Sequence, residues 1–376
     1  MTLLGLAVAF CGLTVLVHVA SVAIASWRCR APSRPLAPMP GTPPVTVVRP
    51  VCGIENFIEE TLASTFRLDY PDYEILFCVA SPSDPVIPLV ETLMARHPQV
   101  PARLLIGNDP VSSNPKLNNC VKGWHAARHD WIVLADSNVL LPADYLQRLL
   151  ATWRADTGLV CAPPIGSRPD GFWAEVECAF LNTYQARAQY VADTIGLGFA
   201  QGKTLFWRRD VLEAGGGLEA LGAEVAEDAA STKVVRGLGL KVRLADAPFE
   251  QPLGRRRAAE VWRRQSRWAR LRRACFPGWF LPEILTGGVF PGLALAIAVA
   301  ALDGPVLPLL VLFWLAWYGA EMVLARAAGW HVGRWYPLHG LLRDLMLPAL
   351  WLDGLLGQSF EWRGNEIRVE ADSRAV

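Results

Sequence analysis

Apolar positions along the chain fall into three regimes. Residues 3–26 (LLGLAVAFCGLTVLVHVASVAIAS) form one uncharged run. It is long enough to cross a bilayer, which takes roughly 20 apolar residues. From 45 to 250 the pattern changes to short β-branched runs separated by amphipathic stretches. VTVVRPV (45–51), YEILFCVA (73–80), ARLLIG (102–107) and DWIVLADS (130–137) read as buried strands. Residues 54–67, 85–97 and 115–127 read as helices between them. This βαβα order predicts a mostly parallel sheet with helices on both faces and ligands beyond the carboxyl ends of its strands. After 250 the chain is first strongly basic, with nine arginines between 255 and 273, and then apolar again. Residues 284–302 and 305–325 are each about one span, separated by Asp303-Gly304-Pro305. A third stretch, 338–358, holds Arg343, Asp344 and Asp353. It reads as a third span, a re-entrant segment or an interfacial helix.

The expected organisation follows. Residues 1–27 are a transmembrane anchor, 28–44 a Pro-rich linker and 45–250 a catalytic α/β domain. Residues 251–282 are Arg-rich interfacial helices, 283–358 transmembrane or re-entrant helices, and 359–376 a tail. A cleaved leader is the rival reading of the first segment, since Ala23-Ile24-Ala25 resembles a cleavage site. The MTLL terminus has no basic region and the apolar run is too long, which favours a retained anchor. Arg28, Arg30 and Arg34 follow it, so the positive-inside rule puts the α/β domain in the cytoplasm.

Composition agrees with a membrane protein: 52% hydrophobic, 19% charged, mean hydropathy +0.25. Thirty-six basic residues against 35 acidic give a net charge of +1, without the basic surplus that nucleic-acid binding needs. The eight cysteines form no C-x-x-C pair, which argues against zinc or iron–sulfur ligation. Nothing in the sequence points to a protein partner.

Four polar features are placed to do chemistry. Ser83-Asp84-Pro85 follows the second strand. Asp136-Ser137-Asn138 ends the strand DWIVLADS; there Asp136, with Asn138 adding an amide oxygen, is placed to hold Mg2+ or Mn2+ against a diphosphate, or else caps a turn. In Glu227-Asp228 either carboxylate is a candidate general base for a hydroxyl nucleophile, or simply an acid favoured at a helix start. In the arginine belt, helical spacing puts Arg264, Arg267 and Trp268 on one face, suited to a diphosphate or to anionic headgroups. Lys116 in NPKLNN is a candidate phosphate contact. Gly202-Lys203-Thr204 lacks the upstream glycine of a P-loop, so an ATPase is excluded.

Taken in order, Asp84, Asp136, Asp228 and Arg264-x-x-Arg267-Trp268 resemble the ceramide glucosyltransferase family, whose pattern is three separated aspartates followed by (Q/R)-x-x-R-W. LDYPDYEILFCVASPSDP (68–85), ARLLIGN (102–108) and NPKLNNCVKG (114–123) resemble it too. The resemblance implies a GT-A-type α/β nucleotide-sugar domain with α-helical transmembrane segments. It also implies inverting transfer of glucose from UDP-glucose to the primary hydroxyl of ceramide. Asp84 matches the aspartate that helps hold the nucleotide, Asp136 the metal and diphosphate aspartate, and Asp228 the catalytic base. Arg264, Arg267 and Trp268 match the segment that closes over the diphosphate. The second motif is Asp-Ser-Asn rather than doubly acidic, so a weak divalent-cation requirement is expected. The partners implied are a UDP-sugar, a ceramide-like membrane lipid and the bilayer. The expected location is a bacterial inner membrane, multi-pass, with the catalytic domain facing the cytoplasm. Two rivals share the motifs: N-acetylglucosamine transfer to a hopanoid or another membrane lipid, and processive polysaccharide synthesis, for which the spans are few. A non-catalytic scaffold is a third, opposed by the intact aspartates.

Overall fold

The computed structural model describes residues 2–30, 35–362 and 365–368; Arg34 and the end of the tail lie outside the described residues. The chain divides into two compact units. One comprises Ala31–Ser167 and Ala192–Gly254, the other Met1–Arg30, Arg168–Val191 and Arg255–Val376.

The first unit is a seven-stranded sheet: β1 (Val45–Val51), β2 (Tyr73–Val79), β3 (Ala102–Ile106), β4 (Trp131–Ala135), β5 (Thr157–Cys161), β7 (Thr204–Arg208) and β8 (Lys241–Leu244). Between them in sequence, β6 (Pro164–Asp170) pairs with β9 (Phe249–Arg255) in a separate two-stranded ribbon. The sheet order is β3-β2-β1-β4-β7-β5-β8. Strands β3, β2, β1 and β4 are parallel, as the βαβα pattern predicts. Strand β7 enters antiparallel between β4 and β5. Val45, Val47, Ile75, Phe77 and Val133 are fully buried, which accounts for the near-continuous apolar strands. The expected helix over 54–67 starts later, at Ile58, because Gly53 and Phe57 adopt positive φ of 68° and 61° and hold the chain in a loop.

Helix Pro115–Ala126 lies close on β1 and β2. Gly123 allows this: a Cβ there would sit 2.6 Å from Val48 Cγ1 and 2.7 Å from Cys78 Sγ. Asn114 caps the helix, accepting from the N–H groups of Lys116 and Leu117 at 3.0 and 3.2 Å.

The second unit is helical. Leu3–Arg28 and Val306–Ala327 are long and apolar enough to cross a membrane. Over the expected span 284–302 lies a bent pair, Pro277–Leu285 and Val289–Ala300 at 41°, which together are apolar enough for a broken span or a re-entrant loop. Residues 168–191, expected inside the α/β domain, belong to this helical unit. Their apolar face (Ala174, Val176, Phe180) is buried among helices of the same unit rather than on the sheet. A π-helical turn, Phe180–Ala186, interrupts them.

The polar residues of 338–358 are accounted for here. Arg343, fully buried, binds Glu321 through both terminal nitrogens at 3.1 and 3.2 Å and Asp344 at 2.8 Å. Arg187 completes the cluster 3.3 Å from Glu321 and donates to His18 of the first helix. Two cations therefore face two carboxylates, and each charge is paired where an isolated one would be costly.

Candidate active site

The site of the α/β unit is built where β4 and β7 end side by side. Ala135 pairs with Thr204 across the antiparallel ladder. The next residue on one strand, Asp136, therefore meets the preceding residue on the other, Lys203. Lys203 Nζ lies 2.7 Å from Asp136 Oδ2 and donates to Asn138 Oδ1 at 3.0 Å. From the capped helix, Lys116 Nζ reaches the other Asp136 oxygen at 2.6 Å and Glu227 Oε1 at 2.7 Å. It also donates to the Gly202 carbonyl. Burial opposes the Lys116 charge, but Asp136 and Glu227 outweigh it and hold the ammonium well above the usual lysine range. Burial likewise opposes ionisation of Asp136, and the two lysines hold it far below the usual carboxylate range.

Glu227 and Asp228 open helix Glu227–Gly237, in different surroundings. Glu227 is buried and fully engaged, accepting from Lys116 and from Asn114 Nδ2 at 2.6 Å. Asp228 accepts backbone N–H bonds, from Gly202 at 3.0 Å and Ala229 at 2.8 Å. Burial, reinforced by the Glu227 charge, pushes its carboxyl up to about 6 against the pull of Lys116 and these two donors. It is thus poised to take a proton near neutral pH. Gly202 is required here: a Cβ would come 2.8 Å from Glu227 Oε1 and 3.3 Å from Asp228 Oδ2.

Asp84 belongs to the same unit. Its two oxygens accept from the Gly53 N–H at 3.0 and 3.1 Å, and one also accepts from Val86. It thereby ties the loop after β1 to the start of the following helix.

Comparison with known proteins decides the family. The model of Glycosyl transferase family 21 matches residues 13–375. The chain belongs to that family. A family 21 relative, ceramide glucosyltransferase 1 of Caenorhabditis elegans, is 26% identical over 372 residues, covering 97% of this chain and 79% of its own. The ceramide glucosyltransferase of Komagataella phaffii is 42% identical over 108 residues, 28% of this chain and 21% of its own. Among solved structures, a mannosyltransferase from Pyrobaculum calidifontis, in complex with GDP-mannose and Mn2+, shares the fold with a TM-score of 0.54. Its identity is 18%, covering 92% of this chain and 99% of that one. This family 21 chain is therefore a GT-A-like glycosyltransferase, and with its two candidate spans a membrane protein.

The expected metal pair, Asp136 and Asn138, lies beside Lys203 in this structure. Asp136 and Asn138 hold Lys203, and both Asp136 oxygens are taken by ammonium groups. Among the described residues no group of three or more His, Cys, Asp or Glu side chains converges as a metal site. One carboxylate and one amide are few protein ligands, so a divalent cation held there would rest largely on the oxygens of the diphosphate. Lys203, set aside with the rejected P-loop reading, is the residue that sequence inspection missed. Its signal was a lysine directly before an apolar strand, but only the pairing of β7 with β4 brings it to Asp136. Arg49 was also missed, although an arginine inside the apolar strand VTVVRPV marks it. Fully buried, it donates to the carbonyls of Ser137 and Val139 and so props the turn that carries Asn138. Burial draws its guanidinium down to about 10.

Arg264, Arg267 and Trp268 belong to the helical unit, on helix Ala258–Cys275. Arg264 pairs with Glu177 at 2.6 Å and lies 5.8 Å from the Trp268 ring centre. Two other arginines of the belt are ion-paired: Arg270 binds Asp353, and Arg272 binds Glu283.

Proposed function

We propose that the protein transfers glucose from UDP-glucose to the primary hydroxyl of ceramide, with inversion, giving glucosylceramide. The observation that carries this reading is the Asp228 carboxylate, raised to about 6 at the head of its helix beside a lysine-bound acidic cluster. A carboxylate with that value is largely ionised near neutral pH and is basic enough to accept a hydroxyl proton as the oxygen attacks. The lipid oxygen forms the bond to the anomeric carbon while the bond from that carbon to the phosphate oxygen breaks. The electron pair leaves with UDP, and the proton passes to Asp228. Lys116 and Lys203 supply fixed positive charge for the departing diphosphate, the electrostatic contribution that usually dominates such steps. Asp136 orients both lysines. Asp84 serves the nucleotide, and Arg264, Arg267 and Trp268 serve the diphosphate.

The names of the ceramide glucosyltransferase relatives support the acceptor. The arginines after the first span support a cytoplasmic catalytic unit. Purified protein offered UDP-glucose or UDP-N-acetylglucosamine with ceramide or a hopanoid is the test. UDP release and a β-linked glucosyl lipid with the first pair, lost in Asp228→Asn, are expected. Release only with the N-acetylglucosamine–hopanoid pair overturns the substrate assignment.

A further inference from the structure

Helix Tyr336–Leu356 of the helical unit carries a leucine face exposed along its whole length. At 3.6 residues per turn, Leu338, Leu345, Ala349, Leu352 and Leu356 share an arc of about 60°. All five are exposed, the four leucines by 50–75%. The opposite face is buried and includes the charged pair Arg343 and Asp344. The length of the helix, about 31 Å, suits a crossing of the bilayer as well as a place on its surface. Its packing decides between the two.

The first span fixes the direction of its neighbour. Ala7 packs with Ala294 and Ala298, just before the turn into Val306–Ala327, whereas His18 stacks on Trp317 with ring centres 3.7 Å apart. Val306–Ala327 therefore runs toward the Arg28 end. Tyr336, Gly340, Arg343 and Asp344 meet it at Tyr318 and Glu321, within roughly 14 Å of that end. A crossing would carry the following turns back along Leu307 and Val311, but these are 72 and 47% exposed. Instead Leu347 and Leu350 pack with Val176, Phe180 and Val261, and a Cβ on Gly354 would sit 2.9 Å from that of Ala269. Ala269 lies on helix Ala258–Cys275, whose six arginines keep it out of hydrocarbon. Arg270 binds Asp353 at 2.9 Å, and Arg273 donates to the carbonyls of Leu355 and Gly357 at 2.8 and 2.7 Å. Both Arg28 and this arginine helix adjoin the α/β unit in the chain, and that unit holds no candidate span among the described residues, so both stand on one side. The two ends of Tyr336–Leu356 stay there with them.

We propose that Tyr336–Leu356 does not cross the bilayer but lies along the leaflet on the Arg28 side, its leucine face seated among the upper acyl segments. A helix of this kind sinks its apolar face roughly 5–10 Å into the boundary between headgroups and chains. The bent apolar segment Pro277–Leu285 continues the seat. Phe280 stacks on Trp351 with ring centres 5.6 Å apart, and Trp279, Leu281 and Leu285 are at least half exposed. A tryptophan there has the amphipathic ring favoured at a membrane surface. The leucine face thus extends an apolar surface of membrane character, which assigns acyl chains rather than a second copy as its occupant. The proposal goes beyond the transferase reading and does not depend on its substrates.

The test uses the full-length protein in sealed, oriented vesicles of phosphatidylethanolamine and phosphatidylglycerol. Arg334→Cys, Gln358→Cys and Asp303→Cys are each treated with a membrane-impermeant maleimide from either side. Labelled peptides are read by mass spectrometry, which tells native cysteines apart. Positions 334 and 358 are expected to react from one side and 303 from the other, each at least tenfold over its opposite side. Reaction of 358 from the side of 303 overturns the proposal. Wild-type protein with photoactivatable phospholipids covers variants that do not fold. A diazirine near the glycerol is expected to label Leu345 and Leu352 at least fivefold more than one at the acyl terminus. The reverse is expected at Leu315, exposed mid-way along Val306–Ala327. Leu345 labelled as Leu315 is assigns a crossing and overturns the proposal. No lipid label at either leucine also overturns it, and a dimer dissociated by Leu345→Asp then assigns a second copy.

Discussion

Replacing Asp228 with asparagine tests the charge environment of the proposed base and its chemistry together. Burial and the Glu227 carboxylate lift the Asp228 carboxyl from 3.8 to about 6. The folded state therefore holds this proton more tightly than the unfolded chain does. Below pH 4 the group is protonated in both states and the difference has no effect. As pH rises from about 4 through 6 the folded state loses stability, and above 6 the full penalty applies. Two pH units at 1.36 kcal/mol each give about 3 kcal/mol at neutral pH. About 2 kcal/mol of this develops between pH 4.5 and 7.5. Asparagine carries no such penalty, but it turns an Nδ2 toward the N–H of Gly202 or Ala229, a loss of about 1–3 kcal/mol at every pH. The variant is thus expected to be the weaker protein at pH 4.5 and to gain on wild type by about 4–8 °C in melting temperature by pH 7.5. Thermal melts of the purified, unliganded protein across that range measure it. A gap that stays constant with pH refutes the environment assigned to Asp228. In the same samples turnover is expected to fall about 10²–10⁴-fold, the usual range for a lost general base.

Three further outcomes are expected. In wild type, kcat/KM falls as pH drops below about 6, because protonated Asp228 cannot accept the hydroxyl proton; a profile flat down to pH 5 contradicts this. EDTA lowers wild-type turnover less than tenfold, whereas Lys203→Ala, which vacates the space between Asp136 and Asn138, makes turnover depend strongly on added Mg2+ or Mn2+; equal EDTA sensitivity in both proteins sinks the role given to Lys203. Arg343→Met strands the Asp344 charge and leaves Glu321 to Arg187 alone, costs about 3–5 kcal/mol, and is read as loss of monodisperse protein on gel filtration, which Asp344→Asn in the same chain partly restores.

The parallel half of the sheet was legible because both faces of β1, β2 and β4 are buried, which writes unbroken apolar runs into the sequence. Strand direction is not written there, since an apolar run reads the same either way. The antiparallel entry of β7, and with it the meeting of Lys203 and Asp136, therefore needed the structure. The aspartates were visible as acids at strand and helix ends, but the difference between the surroundings of Glu227 and Asp228 was not. It depends on which carboxylate Lys116 reaches, a contact across 111 positions of sequence. Segment 168–191 was misplaced for a related reason: its amphipathic pattern predicts a helix but cannot say which neighbours bury it.

The division of the chain has a practical corollary. The polypeptide leaves and re-enters the α/β unit, so that unit is two separate stretches, Ala31–Ser167 and Ala192–Gly254. Trimming both termini cannot liberate a water-soluble enzyme, because residues 168–191 would remain as an orphaned hydrophobic insert. A soluble version has to splice Ser167 to Ala192 through a short designed bridge.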